Sequence, residues 1–138
     1  MKLDKYIKQE ISIIKLDLPI AHSKESLLYW ILYSLGIVNK RDKKGIKAKI
    51  LVTLMTHKKE MSADDLKYLC KESRTTILFH LKDLIKKGLV IKENGKYRIS
   101  ENNYKQLILR IRNELNEILA NMETIAKELD SLIEKEEI

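Results

Sequence analysis

In the stretch RTTILFHLKDLIKKG, Arg74 to Gly88, residues Thr75, Phe79, Lys82 and Lys86 stand at i, i+4, i+7 and i+11. That is the spacing of one helix face. With Thr76 beside Thr75, these are residue types that recognise rather than react. Threonine hydroxyls donate or accept at base edges, or hold a phosphate at a helix N-terminus; a phenyl ring packs on a thymine methyl; lysine supplies a point charge for phosphate. Arg74 projects nearer the opposite side, with Ile77, Leu81 and Leu84, and is better suited to phosphate than to a base. Two readings of Phe79 stand: contact with a nucleic-acid base, or a brace sealed against the N-terminal helix or a second copy, since exposed Phe is uncommon.

Bond-making chemistry finds less support. Cys70 is the single cysteine, and His22, His57 and His80 share no ligand spacing such as i, i+4. There is no Gly-rich phosphate loop, no HExxH and no GxSxG. We therefore expect no enzyme, no metal and no cofactor, and read His80 as a semi-buried, hydrogen-bonded core histidine. One cysteine suits a reducing cytoplasm. The longest apolar stretch, LLYWILY at Leu27 to Tyr33, is far short of a membrane span, so a cytoplasmic chain without membrane contact is expected.

Charge separates along the chain. The net charge is +7, yet after Ser100 nine acidic residues face five basic ones, which leaves +11 on the first hundred residues. A basic body with an acidic tail points to polyanion binding by the body alone. Lys40, Arg41, Lys43 and Lys44 add a basic connector, either a solvated loop or a further phosphate contact, and Lys58 and Lys59 form a second pair.

The elements that must hold the reading face follow from local signals. Residues 1–20 are ambiguous between helix and strand, and Pro19 ends either. Ser23 is an N-cap for a short helix closed by Gly36; its apolar residues go nearly all round, so it is expected to be largely covered. Ile46, Ile50, Leu51 and Leu54 mark the buried face of a second helix. Ser62, with Asp64 and Asp65 behind it, opens a third of about two turns, and Ser73 caps the helix of the opening stretch. After Gly88 the period becomes two, and Asn94-Gly95 predicts a type I′ hairpin with Glu93 opposite Lys96, Lys92 opposite Tyr97 and Val90 opposite Ile99. Lys96 and Arg98 then project from the face opposite Tyr97 and Ile99, as phosphate candidates.

Helix, short helix, tight turn, helix and hairpin, in that order, make a winged helix-turn-helix. Through Leu66, Leu69, SRTTILFHLKDLIKKGLV and the NG hairpin, the chain resembles the winged-helix transcription regulators of the ArsR and MarR type. The matching positions are Thr75, Thr76, His80, Leu81, Leu84, Gly88, Leu89 and Val90. The resemblance implies a mainly α fold with a small β-hairpin wing. It also implies dimeric binding to double-stranded DNA, with a recognition helix over 74–87 in the major groove and a wing over 89–99 on the backbone. The chain departs from the metal-sensing members, which carry a cysteine pair where only Cys70 stands.

From Glu101 a heptad seam runs without Gly or Pro through Ile108, Ile111, Leu115, Ile118, Met122, Ile125, Leu129 and Leu132. It reads as a C-terminal dimerisation helix, or alternatively as a clamp across the helix of Leu27 to Leu35. A homodimer would seek an inverted repeat with half-sites one or two turns apart. The expected organisation is an N-terminal extension over 1–42, a winged-helix domain over 43–100 and a coiled-coil-like helix over 101–138. The leading function is a sequence-specific regulator acting as a repressor. A protein-interaction scaffold and a non-specific architectural DNA coat are the alternatives. A small-molecule effector is a further possible partner, in a cavity where Tyr29, Trp30 and Tyr33 meet the long helix, unless those aromatics simply form core.

Overall fold

The computed structural model describes residues 2–39 and 41–136; Lys40 of the basic connector lies outside them. Among the described residues there are five α-helices and one two-stranded antiparallel hairpin, in the order of a winged helix-turn-helix with a long C-terminal helix. The chain divides into two compact units, one up to Asn102 and one from Asn103.

The core of the first unit is built by three helices. The first of these, α2 (Ile46–His57), has no side-chain cap at Gly45. Instead the Asp42 carboxylate accepts from the Ile46 and Lys47 amides, at 3.0 Å each, and satisfies two of the donors a helix start leaves open. Its Ile50, Leu51 and Leu54 are buried, as the spacing predicts. Next, α3 (Ala63–Cys70) starts with a capping box in which Ser62 accepts from the Asp65 amide and Asp65 accepts from the Ser62 amide. It stops at Lys71, whose left-handed backbone (φ 56°) turns the chain. Then α4 (Arg74–Lys86) begins where the Ser73 hydroxyl accepts from the Thr76 amide at 3.1 Å. Ile77, Leu81 and Leu84, on one face of α4, are fully buried.

The wing follows the register read from the turn. Strands β1 (Val90–Glu93) and β2 (Lys96–Ile99) pair Val90 with Ile99, Lys92 with Tyr97 and Glu93 with Lys96. Asn94 (φ 50°) and Gly95 (φ 74°) supply the two positive φ values that a type I′ turn requires. Val90, Tyr97 and Ile99 are buried together on the inner face. Met61 adds a bridge that the sequence did not announce: it exchanges backbone hydrogen bonds with Tyr97, at 2.9 and 2.7 Å, and ties the wing to the start of α3.

The N-terminal segment is neither of the two elements its pattern allowed. Apart from one 3-10 turn at Asp4–Tyr6, residues 7–20 form an irregular arm. Its backbone is satisfied at scattered points: the Glu10 amide donates to the Lys86 carbonyl and the Ile14 amide to the Ser34 carbonyl. The arm passes so close to Gly36 (φ 70°) that a Cβ there would meet the Ser12 side chain at 3.2 Å.

Expectation and structure part at α1 (Lys24–Ser34). Ser23 caps it and Gly36 follows it as predicted, but Leu32 is its one buried residue, while Leu27, Tyr29 and Tyr33 are exposed. The arm reaches only one flank of α1, through Ile14 to Ser34 and through Asp17, whose carbonyl accepts the Trp30 indole N–H at 2.8 Å. An all-round apolar pattern thus leaves an apolar surface in water.

The second unit is α5 (Tyr104–Glu136), 33 residues without interruption. Leu107 and Ile111 are buried, and Ile108 and Leu115 are half-buried. From Ile118 onward the seam residues Ile118, Met122, Ile125, Leu129 and Leu132 are all exposed.

Candidate nucleic-acid interface

Burying Ile77, Leu81 and Leu84 decides what α4 shows to solvent. Thr75, Phe79, Lys82 and Lys86 are exposed on its other side, as a 100° rotation per residue requires. Phe79 is 69% exposed, its ring edge-on to the His80 ring with centroids 5.2 Å apart. The intramolecular version of the hidden brace is therefore excluded. Thr76 is half-buried, and its hydroxyl oxygen accepts from Ser73 Oγ at 2.8 Å as part of the cap.

The cations of this surface are not equivalent. Arg74 Nε lies 3.3 Å from Asp64 Oδ1, and Arg98 holds Glu93 at 3.0 Å across the wing. Lys86 donates to Glu10 of the arm at 2.8 Å, and that hydrogen bond and charge push its ammonium pKa above the usual lysine range. Lys82 and Lys96 are exposed without an ion pair among the described residues. Exposed ion pairs of this kind contribute little to stability, so phosphate can exchange with the carboxylates of Arg74, Lys86 and Arg98 at small cost. The sequence reading missed Glu10, because nothing local connects it with a residue more than seventy positions away. It also passed over Tyr68, 83% exposed on α3.

Behind the face lies a polar cluster that fixes the back of α4. Asp83 accepts from Lys87 at 2.7 Å and stands 3.5 Å from Lys47, whose side chain is mostly buried. Burial pulls the Asp83 carboxyl upward, but the Lys87 hydrogen bond and the Lys87 and Lys47 charges outweigh it and hold the pKa below the carboxylate norm. Asp42 is held low in the same way, burial being overcome by the Lys47 and Ile46 amides.

His80 corrects one expectation. It is buried, but its Nδ1 has no hydrogen-bond partner among the described residues. Burial, then the nearby Lys47 charge, lowers its pKa below 6.5, against smaller opposing effects from Asp42, Asp83 and Glu72. The folded state therefore favours the neutral ring, and the unfolded chain takes up the proton first. Stability is fully present above about pH 6.5 and declines as pH falls through that value, levelling off once the folded-state pKa is passed. Thermal melts between pH 8 and pH 5 should show this decline, and His80→Leu should flatten it; an unchanged slope in the variant would assign the effect elsewhere.

Residues 42–123 match the family model described as methanogenesis regulatory protein FilR1, N-terminal domain. The chain belongs to this family. The match takes in α2 to α4, the hairpin and more than half of α5, and membership marks the chain as a transcription regulator. No curated protein and no solved structure matches it. Among the described residues of this FilR1 N-terminal-domain relative, no helix is long and apolar enough to cross a membrane, and no cluster of three or more His, Cys, Asp or Glu is placed to hold a metal ion.

Proposed function

We propose that the chain is a cytoplasmic, homodimeric, sequence-specific DNA-binding regulator of the ArsR/MarR type, acting as a repressor by occluding a promoter. The observation that carries this reading is the solvent face of α4. A buried helix would not spend its second face on Thr75, Lys82 and Lys86, nor leave Phe79 in water. In the reading, α4 enters the major groove, Thr75 and Thr76 meet base edges or the first phosphate, and Phe79 presses on a thymine methyl. Arg74, Lys82, Lys86, Lys96 and Arg98 hold the backbone, the last two from the wing. Two copies pair through α5, so the operator is an inverted repeat.

Salt dependence and base preference together form the test. The logarithm of the affinity for duplex DNA should fall by about 0.9 per phosphate contacted for each logarithmic unit of salt. Lys96→Ala should reduce that slope by about one contact and weaken all sequences alike, whereas Thr75→Ala should cost about 1–3 kcal/mol on the preferred sequence and relax the preference. A flat salt response would favour the protein-interaction scaffold. Equal affinity for unrelated duplexes would favour a non-specific coat.

A further inference from the structure

Between α1, α2 and the end of α3 the first unit leaves an open cavity of about 460 Å³, apart from the reading face and the wing. Leu28 and Leu32 of α1, Val38 of the following loop, Val52 of α2 and Leu69 of α3 line it. Leu28, Val38 and Val52 are only half-buried and Leu69 is exposed, so apolar wall remains in contact with water. Thr53 Oγ1 and Cys70 Sγ, 3.8 Å apart, add a small polar spot. Burial pushes the Cys70 thiol pKa up, which keeps it neutral and unreactive.

The charges that line the cavity are of one sign, while Glu72, just beyond the lining, is near enough to act on the Cys70 thiol. Lys44, Lys49 and Lys71 belong to the lining and are exposed, and none of them is ion-paired among the described residues. No acidic side chain lines the cavity. Its size is that of a small-molecule site rather than a protein groove. Apolar walls remove hydrocarbon from water, and three ammonium groups favour an anionic head over a neutral one.

We propose that this cavity binds a small amphipathic anion, an apolar chain or ring system carrying one carboxylate, and that its occupancy resets the turn between α3 and α4. Leu69 and Cys70 close α3, and Lys71 is the left-handed residue that turns the chain. Two positions later Ser73 caps α4. A ligand packed on Leu69 therefore acts on the segment that aims the α4 face. The binding half of the proposal stands without any DNA; the consequence for gene control rests on the reading of α4 as the DNA helix.

The full chain, isotope-labelled, is titrated by NMR with sodium decanoate below its micelle concentration, with decanol and acetate as comparators. Saturable shifts are expected at Val52, Thr53 and Leu69, accompanied by shifts at the Ser73 and Thr76 amides. Decanol should bind at least about tenfold more weakly, because it lacks the charge, and acetate should not compete because it lacks the apolar body. Lys49→Glu, a surface change, should weaken decanoate about tenfold by turning an attraction into a repulsion. Val52→Trp, which fills the cavity, should abolish binding; if that variant fails to fold, Lys49→Glu decides. Shifts that never saturate, that appear only on the apolar stripe of α5, or that decanol reproduces at equal concentration would overturn the site. Saturation at Val52 with Ser73 and Thr76 unmoved would overturn the coupling. A chain that proves not to bind DNA would sink the regulatory reading and leave the decanoate result standing.

Discussion

Replacing Ile125 by glutamate is expected to turn a dimer into a monomer at micromolar concentration and to lower affinity for an inverted-repeat operator by about a hundredfold or more. Ile125 is 62% exposed on the single chain, in the middle of a stripe that runs from Ile118 to Leu132. Burying such a side chain contributes about 1.5–3 kcal/mol, and a symmetric pair buries each position twice. Glutamate loses that gain in both copies and places carboxylates at the seam of a helix whose sequence is already acidic. Sedimentation equilibrium checks the first effect and titration with one-half-site and two-half-site duplexes the second. A wild-type chain that sediments as a monomer would defeat the pairing proposal outright.

The second large effect separates the two faces of α4. Leu81→Ala should cost about 3 kcal/mol in urea unfolding, within the range found when a fully buried leucine is cut to alanine in a close-packed core. Phe79→Ala, two residues earlier, should change stability by less than about 0.5 kcal/mol, because most of that ring is already in water. Its loss should appear instead as a weakened preference for thymine-containing sites. The contrast is internal: both are large apolar side chains on the same helix, and only their rotation about its axis differs. Should Phe79→Ala unfold the protein as Leu81→Ala does, the ring would have a structural partner and the base-contact role would fall.

Legibility varied with the range of the forces involved. The hairpin register was readable to the residue, since Asn94 and Gly95 both tolerate positive φ and the strand period then places Val90 opposite Ile99. The starts of α1, α3 and α4 were readable from Ser23, Ser62 and Ser73, each satisfying an amide three residues on. The buried side of α4 followed from Ile77, Leu81 and Leu84 by rotation alone, and so did the exposure of Lys82 and Lys86. The arm was not readable: Ile7, Ile11 and Ile14 satisfied a helical pattern that no partner surface supports. Its course depends on bonds from Glu10 to Lys86 and from Ile14 to Ser34, which have no signature in the neighbouring residues. The exposure of α1 was equally hidden, because an apolar run records what a helix can bury and not whether enough chain is available to cover it.

By itself, then, the sequence determined the N-caps of α1, α3 and α4, the turn, the strand register and the division of α4 into an apolar and a polar face, all set by backbone geometry and side-chain periodicity within about a dozen positions. Tertiary structure alone decided which cations are already paired, that His80 is buried without a partner for Nδ1 among the described residues, that Phe79 stands in water, and that α1, α2 and α3 line an open, lysine-rimmed cavity. The physical reason is that each of these depends on which distant surfaces meet. A carboxylate near the start of the chain pairs with a lysine of α4, and a few uncovered side chains line a cavity, only once packing has brought them together.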